Sequence, residues 1–262
     1  MLTWIILPIL GIVVGILSGM LGIGGGIILV PMLAMILPLI TPNADIVVHL
    51  ALGSSLACAS LTLFSSSLAH KRNGNLDKRI CYNSLPGIIT GAIVGPYIVH
   101  LLPSEILRYI IGFILFAFAI NMAFDYEIPA SRKLPNTTVL LLSGLILALI
   151  SSFAGLSGAA LIIPYLLWFG LPIRRAVGTA SMMGLPLSIV GMCSYMIVGY
   201  HTDNLPSGAI GYVYWPAVIC IALTSVPAAQ ISAKFSANVP KEQLKRLLAI
   251  LLTLVAAKML FF

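Results

Sequence analysis

The chain has 262 residues, of which 60% are hydrophobic and 8% charged, and its mean hydropathy is +1.10. Soluble domains carry roughly a quarter charged residues, so this composition excludes a water-soluble globular protein. The net charge of +7 does not indicate nucleic acid as a partner, because the basic residues fall in short segments between apolar stretches, where membrane topology accounts for them.

The chain opens with Met1-Leu-Thr-Trp, without the basic n-region or small-residue cleavage site of a signal peptide, and is expected to belong to the mature protein from there on. The first element is one apolar stretch from Trp4 to Ile40. As a single straight helix it would be about 55 Å long, against a hydrocarbon core of about 30 Å. It is therefore predicted to break, and the run Gly22-Ile-Gly-Gly-Gly26 is where a break costs least. Ordinary spans are predicted at 46–69, 80–102 and 106–124. After a polar join between Ser131 and Asn136 comes a second long stretch, Val139 to Leu171, followed by spans at 175–199, 209–232 and 243–261.

The second half echoes the first. Ser18, Gly22, Gly25 and Pro31 recur at constant spacing as Ser151, Gly155, Gly158 and Pro164. Leu50-Ala-Leu-Gly-Ser-Ser55 corresponds to Arg175-Ala-Val-Gly-Thr-Ala180, and Leu102-Pro-Ser-Glu105 to Val239-Pro-Lys-Glu242. The sequence thus predicts an all-α polytopic membrane protein made by duplication, with repeats at 1–130 and 131–262. Each repeat is a broken helix or helical hairpin plus three transmembrane helices, giving about eight to ten membrane segments.

Basic residues set the expected orientation. If each long stretch crossed once, the 14 Lys and Arg residues would divide evenly between the two faces. If each instead returns to its starting side, all except Arg108 and Lys258 fall on one face, a strong positive-inside bias. The two repeats then have opposite orientations, as in many secondary transporters, and both termini lie outside the cytoplasm of a cell that holds the protein in its inner, or plasma, membrane.

Three glycine rows, Gly11/Gly15/Gly19, Gly87/Gly91/Gly95 and the small-residue set Gly144/Ala148/Ser152, have the four-residue spacing that lets membrane helices approach closely. The breaks call for something else. A helix that starts inside the membrane leaves backbone N–H groups that hydrocarbon cannot satisfy, and its N-terminus attracts an anion. The candidate substrate-binding residues are Ser18, Gly22, Gly24, Gly25 and Gly26 at the first break, and Ser151, Ser152, Gly155, Ser157 and Gly158 at the second. Ser54, Ser55, Thr179 and Ser181, on the spans that follow, add hydroxyls. Hydroxyl and amide donors suit a dehydrated oxyanion without burying a further full charge.

No Asp or Glu lies centrally in a span, so a carboxylate relay is not expected. Cys58, Cys81, Cys193 and Cys220 form no C-x-x-C pair, and neither a metal site nor a cofactor is expected. Gly155-Leu-Ser157-Gly158 has the form used by intramembrane serine proteases. However, His201 lies in a polar loop, His49, His70 and His100 fall at span ends, and Gly24 replaces Ser157 in the first half. A base within reach is the first requirement for that chemistry, so no catalytic residue is assigned.

The signature Gly15-x-x-Ser-Gly-x-Leu-Gly-Ile-Gly-Gly-Gly-x-x-x-Val-Pro31, its second copy ending in Pro164, and the Ala-x-Gly-Ser and Ala-Val-Gly-Thr segments resemble the TauE/SafE sulfite exporter family, also called TSUP or DUF81. The likeness covers essentially the whole chain. It implies a transporter, not an enzyme, whose partners are a small anionic substrate and the bilayer, with sulfite, thiosulfate or an organosulfonate commonly moved outward. An anion channel is the alternative. The second copy has Ser157 and Ala159 where the first has glycines, which makes the two halves of such a site chemically unequal.

Cysteine-accessibility mapping is expected to place the Lys71–Arg79 segment, Arg174 and Lys241 on the cytoplasmic face and both termini on the other. A cytoplasmic C-terminus would refute the opposed orientation of the repeats.

Overall fold

The computed structural model describes residues 2–21, 25–41, 43–124, 135–235 and 241–261. They form ten α-helices and one short hairpin: α1 Leu2–Leu21, α2 Gly26–Ile36, α3 Ala44–Arg72, α4 Lys78–His100, α5 Ser104–Phe124, α6 Thr137–Ala154, α7 Ala159–Trp168, α8 Ile173–Val198, β1 Ala209–Ile210, β2 Val213–Tyr214, α9 Trp215–Phe235 and α10 Lys241–Phe261. Five segments are long and apolar enough to cross a bilayer: Ala44–Arg72, Ser104–Asn121, Thr137–Ala154, Ile173–Val198 and Trp215–Ser232. The protein is an all-α polytopic membrane protein.

Both long stretches are broken. The first is interrupted between Leu21 and Gly26, and the second between Ala154 and Ala159. Gly22, Gly24 and most of the expected join at 131–136 lie outside the described residues. One predicted span starts later than expected. Residues 209–214 form the hairpin, in which Ala209 pairs with Tyr214 and Ile210 with Val213, and helix begins only at Trp215. Gly208 and Gly211 adopt positive φ (+87° and +54°), which continues a turn and not a helix. The predicted span at 80–102 does form a helix, α4, but is not among the five apolar segments; it opens on Lys78 and Arg79 and carries Asn83, Ser84 and Thr90.

The two halves interlock. α1 packs along α9 and α6 along α4, so the first helix of each half lies on the fourth helix of the other; α3 packs on α8, and α5 on α10. The glycine rows make the first two contacts possible. A methyl group at Gly91 would lie 2.6 Å from the Leu145 carbonyl and 2.8 Å from the Ala148 methyl, and one at Gly11 would lie 2.7 Å from the Ile221 carbonyl. At that range the neighbouring helix backbone would have to move.

The motif shared by α3 and α8 has an equally specific use. Gly53 lies directly against the Tyr212 carbonyl, and Ser54 Oγ accepts the Tyr214 N–H at 2.9 Å. In the other half Gly178 lies against the Asn75 carbonyl, and Thr179 Oγ1 accepts the Asp77 N–H at 3.0 Å. Each Gly-Ser/Thr pair therefore docks the segment leading into the fourth helix of the opposite half. Asp77 then caps α4 by accepting the Ile80 N–H at 3.1 Å.

Gly91→Ala is expected to push α4 and α6 apart at a cost of about 1–3 kcal/mol. Gly112→Ala, where the added methyl meets only side-chain atoms of Leu260 and Met259, should cost less. Thermal unfolding in detergent compares them, and equal losses would remove close backbone packing as the role of Gly91.

Candidate functional site

The second break is built by two glycines in conformations that other residues avoid. Gly155 caps α6 with φ +59°, its N–H directed at the Ser151 and Ser152 carbonyls, and the Leu156 N–H bonds to Ser151 O at 2.9 Å. Gly158 has φ +79° and starts α7 by accepting the Leu161 and Ile162 N–H groups at 3.0 and 2.9 Å. The amides of Ala159 and Ala160 thus precede the hydrogen-bond ladder of α7. At the first break Gly25 does the same for α2, accepting from Ile28 and Leu29 at 3.1 and 3.0 Å. Its φ is −67°, so here the absent side chain serves contact with Val14 and not backbone freedom.

The two breaks meet. A methyl at Gly26, the first residue of α2, would lie 3.0 Å from the Gly155 carbonyl oxygen and 3.2 Å from both Leu156 Cα and Ser157 N. Helices α3 and α8 enclose the junction. Ser55 Oγ donates to Gly155 O at 2.9 Å, Tyr195 Oη donates to Ser152 O at 2.8 Å, and Gly184 packs on the Ser157 carbonyl. The carbonyls of Gly155 and Ser152 at the α6–α7 break thus accept from side chains of two other helices.

Two hydroxyls at the junction are not satisfied. Ser151 Oγ and Ser188 Oγ belong to residues with no exposed surface, and neither has a hydrogen-bond partner. Ser151 Oγ is 3.7 Å from the position a Cβ on Gly158 would take, and Ser188 lies one turn along α8 from Gly184, which packs on the Ser157 carbonyl. A buried hydroxyl without a partner costs about 1–3 kcal/mol, so it marks either a strain or a place for a ligand. The other buried orphan hydroxyls, Ser84 and Ser225, are on helix-packing faces against Gly144 and Gly15.

The structure gathers Gly25, Gly26, Ser55, Ser151, Ser152, Gly155, Ser157 and Gly158 about the junction, though Ser152 Oγ is committed to Ala148 O at 2.9 Å. Ser18 is half-buried in the last turn of α1. Ser54 and Thr179 are engaged in docking loops, and Ser181 Oγ donates to Val177 O at 2.9 Å. Ser188, Gly184 and Tyr195 were not singled out from the sequence. Their signal is the series Gly184, Ser188, Gly191 and Tyr195, which falls on one face of a helix.

The start of α2 at Gly26 thus packs on the segment that leads into α7, with Ser151 Oγ beside Gly158. Residues 7–259 match the protein family described as "Sulfite exporter TauE/SafE". A "Probable membrane transporter protein" of Haemophilus influenzae is 30% identical over 99% of both chains. Proteins with the same description from Methanocaldococcus jannaschii (28% identical; 97% of this chain and 94% of the relative) and Bacillus subtilis (YdhB; 27%, 94% and 95%) are also similar. No solved structure matches. With its membrane helices and a family match across nearly its whole length, the chain belongs to the TauE/SafE sulfite exporter family of membrane transporters.

Proposed function

We propose that this protein carries a small sulfur oxyanion, such as sulfite, thiosulfate or an organosulfonate, out of the cell through a site at the facing helix breaks. The observation that carries this reading is the contact of Gly26 with Gly155–Ser157 beside the unpartnered hydroxyls of Ser151 and Ser188. An anion held there would accept from the leading amides of α2 and α7 and from those hydroxyls. The sulfur chemistry rests on the family's description alone.

The site is closed off, since Ser151, Ser157 and Ser188 are at most 2% exposed. An anion reaches it only after the surrounding helices move, which favours an alternating carrier over an open channel. Two inverted repeats supply such a movement. The reciprocal packing of α1 on α9 and α6 on α4, and the matched docking by Ser54 and Thr179, support that arrangement. On this reading both termini face away from the cytoplasm. An inside-negative inner membrane expels an anion with roughly 2.3 kcal/mol per charge per 100 mV, so outward transport proceeds without a coupled ion. Hydrolysis is not favoured, because among the described residues no hydrogen bond joins Ser157 to a histidine.

In proteoliposomes loaded with sulfite or thiosulfate, efflux is expected to accelerate when a valinomycin-set potential makes the lumen negative, and external anion should drive counterflow. Voltage-driven efflux without counterflow would identify a channel instead.

Ser151→Ala and Ser188→Ala should each weaken anion binding by about tenfold, the equivalent of one hydrogen bond to a charged ligand. Neither should lower the melting temperature of the empty protein, since the hydroxyl that is removed has no partner. Ser55→Ala, which strips the Gly155 carbonyl of its donor, should cost about 1–3 kcal/mol of stability. Isothermal titration and thermal unfolding separate these outcomes. Unchanged affinity in both serine variants would remove the hydroxyls from the site.

A further inference from the structure

Away from the breaks, a pocket of about 470 Å³ opens among the C-terminal end of α2, the start of α3, the start of α5 and the end of α10. Asp45, Ser104, Glu105, Arg108 and Lys258 line it, and none of the junction residues does. Its wall hides His49, which lies in the second turn of α3 and is 4% exposed.

The surroundings of that ring are unusual for a neutral imidazole. Nε2 lies 3.2 Å from the Val99 carbonyl, and Nδ1 lies 3.2 Å from the Asp45 carbonyl. Carbonyl oxygens only accept, so both ring nitrogens must carry hydrogen for both contacts to be hydrogen bonds. A neutral ring can donate through one nitrogen only. Ser104 resolves the neutral case: its hydroxyl donates to the Asp45 carbonyl and also lies 3.4 Å from His49 Nδ1. By rotating, the same hydroxyl can donate to an unprotonated Nδ1. The site therefore has a full hydrogen-bond set for the imidazolium and another for the neutral ring, and the two differ by one proton and one hydroxyl rotation.

We propose that His49 is a proton-binding site, reached through this pocket, whose occupancy switches the Ser104 hydroxyl of α5 between the Asp45 carbonyl and the His49 ring. Asp45 and Ser104 both line the pocket and both touch the His49 ring, so a proton from water in the pocket has a short path to Nδ1. The other charged or titratable groups around His49 are His100 at the end of α4, Glu105 and Arg108 on α5, Lys258 on α10 and Tyr212 in the hairpin. Tyr212 stacks on His49 with ring centroids 4.9 Å apart, receives a hydrogen bond from Thr202 at 3.1 Å, and places its hydroxyl 2.9 Å from His100 Nδ1.

In the imidazolium state Nδ1–H donates to the Asp45 carbonyl, within α3, and Nε2–H to the Val99 carbonyl of α4. Loss of the Nδ1 proton leaves the bond to α4 in place and turns the Ser104 hydroxyl of α5 from the Asp45 carbonyl to the ring.

Histidine-labelled protein in nanodiscs tests this without any substrate, since the chain has only four histidines. One imidazole signal is expected to titrate and to vanish in His49→Gln. In Ser104→Ala its midpoint should move upward, because the donor that serves the neutral ring is lost while the Asp45 carbonyl remains. An imidazole assigned to His49 that does not titrate, or a midpoint unmoved by Ser104→Ala, would overturn the proposal.

Discussion

Backbone polar groups cannot be left open in hydrocarbon, and this constraint governs the rest of the molecule. Each long apolar segment is interrupted, so each exposes N–H and C=O groups that need partners. The fold meets the requirement by bringing the two interruptions together and enclosing them with α3 and α8. Ser55 and Tyr195 supply donors to carbonyls of the α6–α7 break. Among the described residues, the buried hydroxyls of Ser151 on α6 and Ser188 on α8 are left without partners.

Bringing the breaks together depends on how the halves exchange contacts. Helices α1 and α6 approach their partners closely enough that carbonyl oxygens lie where a methyl group would be, which only glycine permits. The paired Gly53-Ser54 and Gly178-Thr179 then fasten the segments before α9 and α4.

The interior site and the outer pocket differ in kind. The junction is apolar, hydroxyl-lined and fully enclosed, whereas the pocket holds two carboxylates and two cations with access to water. His49 lies behind the wall of that pocket, on the same helix as Ser55, which bonds to the break. Helix α3 therefore runs from a group able to bind a proton to the enclosed junction, and a shift of α3 reaches both.

Much was determined by the sequence alone. Composition and segment length required membrane helices, because no other structure buries so many apolar residues at that length. The repeated Ser-x-x-x-Gly-x-x-Gly pattern located both breaks, and the four-residue glycine rows identified the close-packing faces. These are local properties, set by chain geometry and by the solvent a segment prefers. What only the tertiary structure decided is which of the serines face the junction. Ser54 and Thr179 look like donors in the sequence but are consumed by distant loop amides, while Ser188 looks like an ordinary helix serine and is left without a partner. His49 likewise reads as a span-end residue until Val99 and Ser104, some fifty residues away in the chain, are packed around it. Whether a hydroxyl or an imidazole is free depends on partners supplied by other helices. Periodicity and spacing within one segment carry no information about those partners.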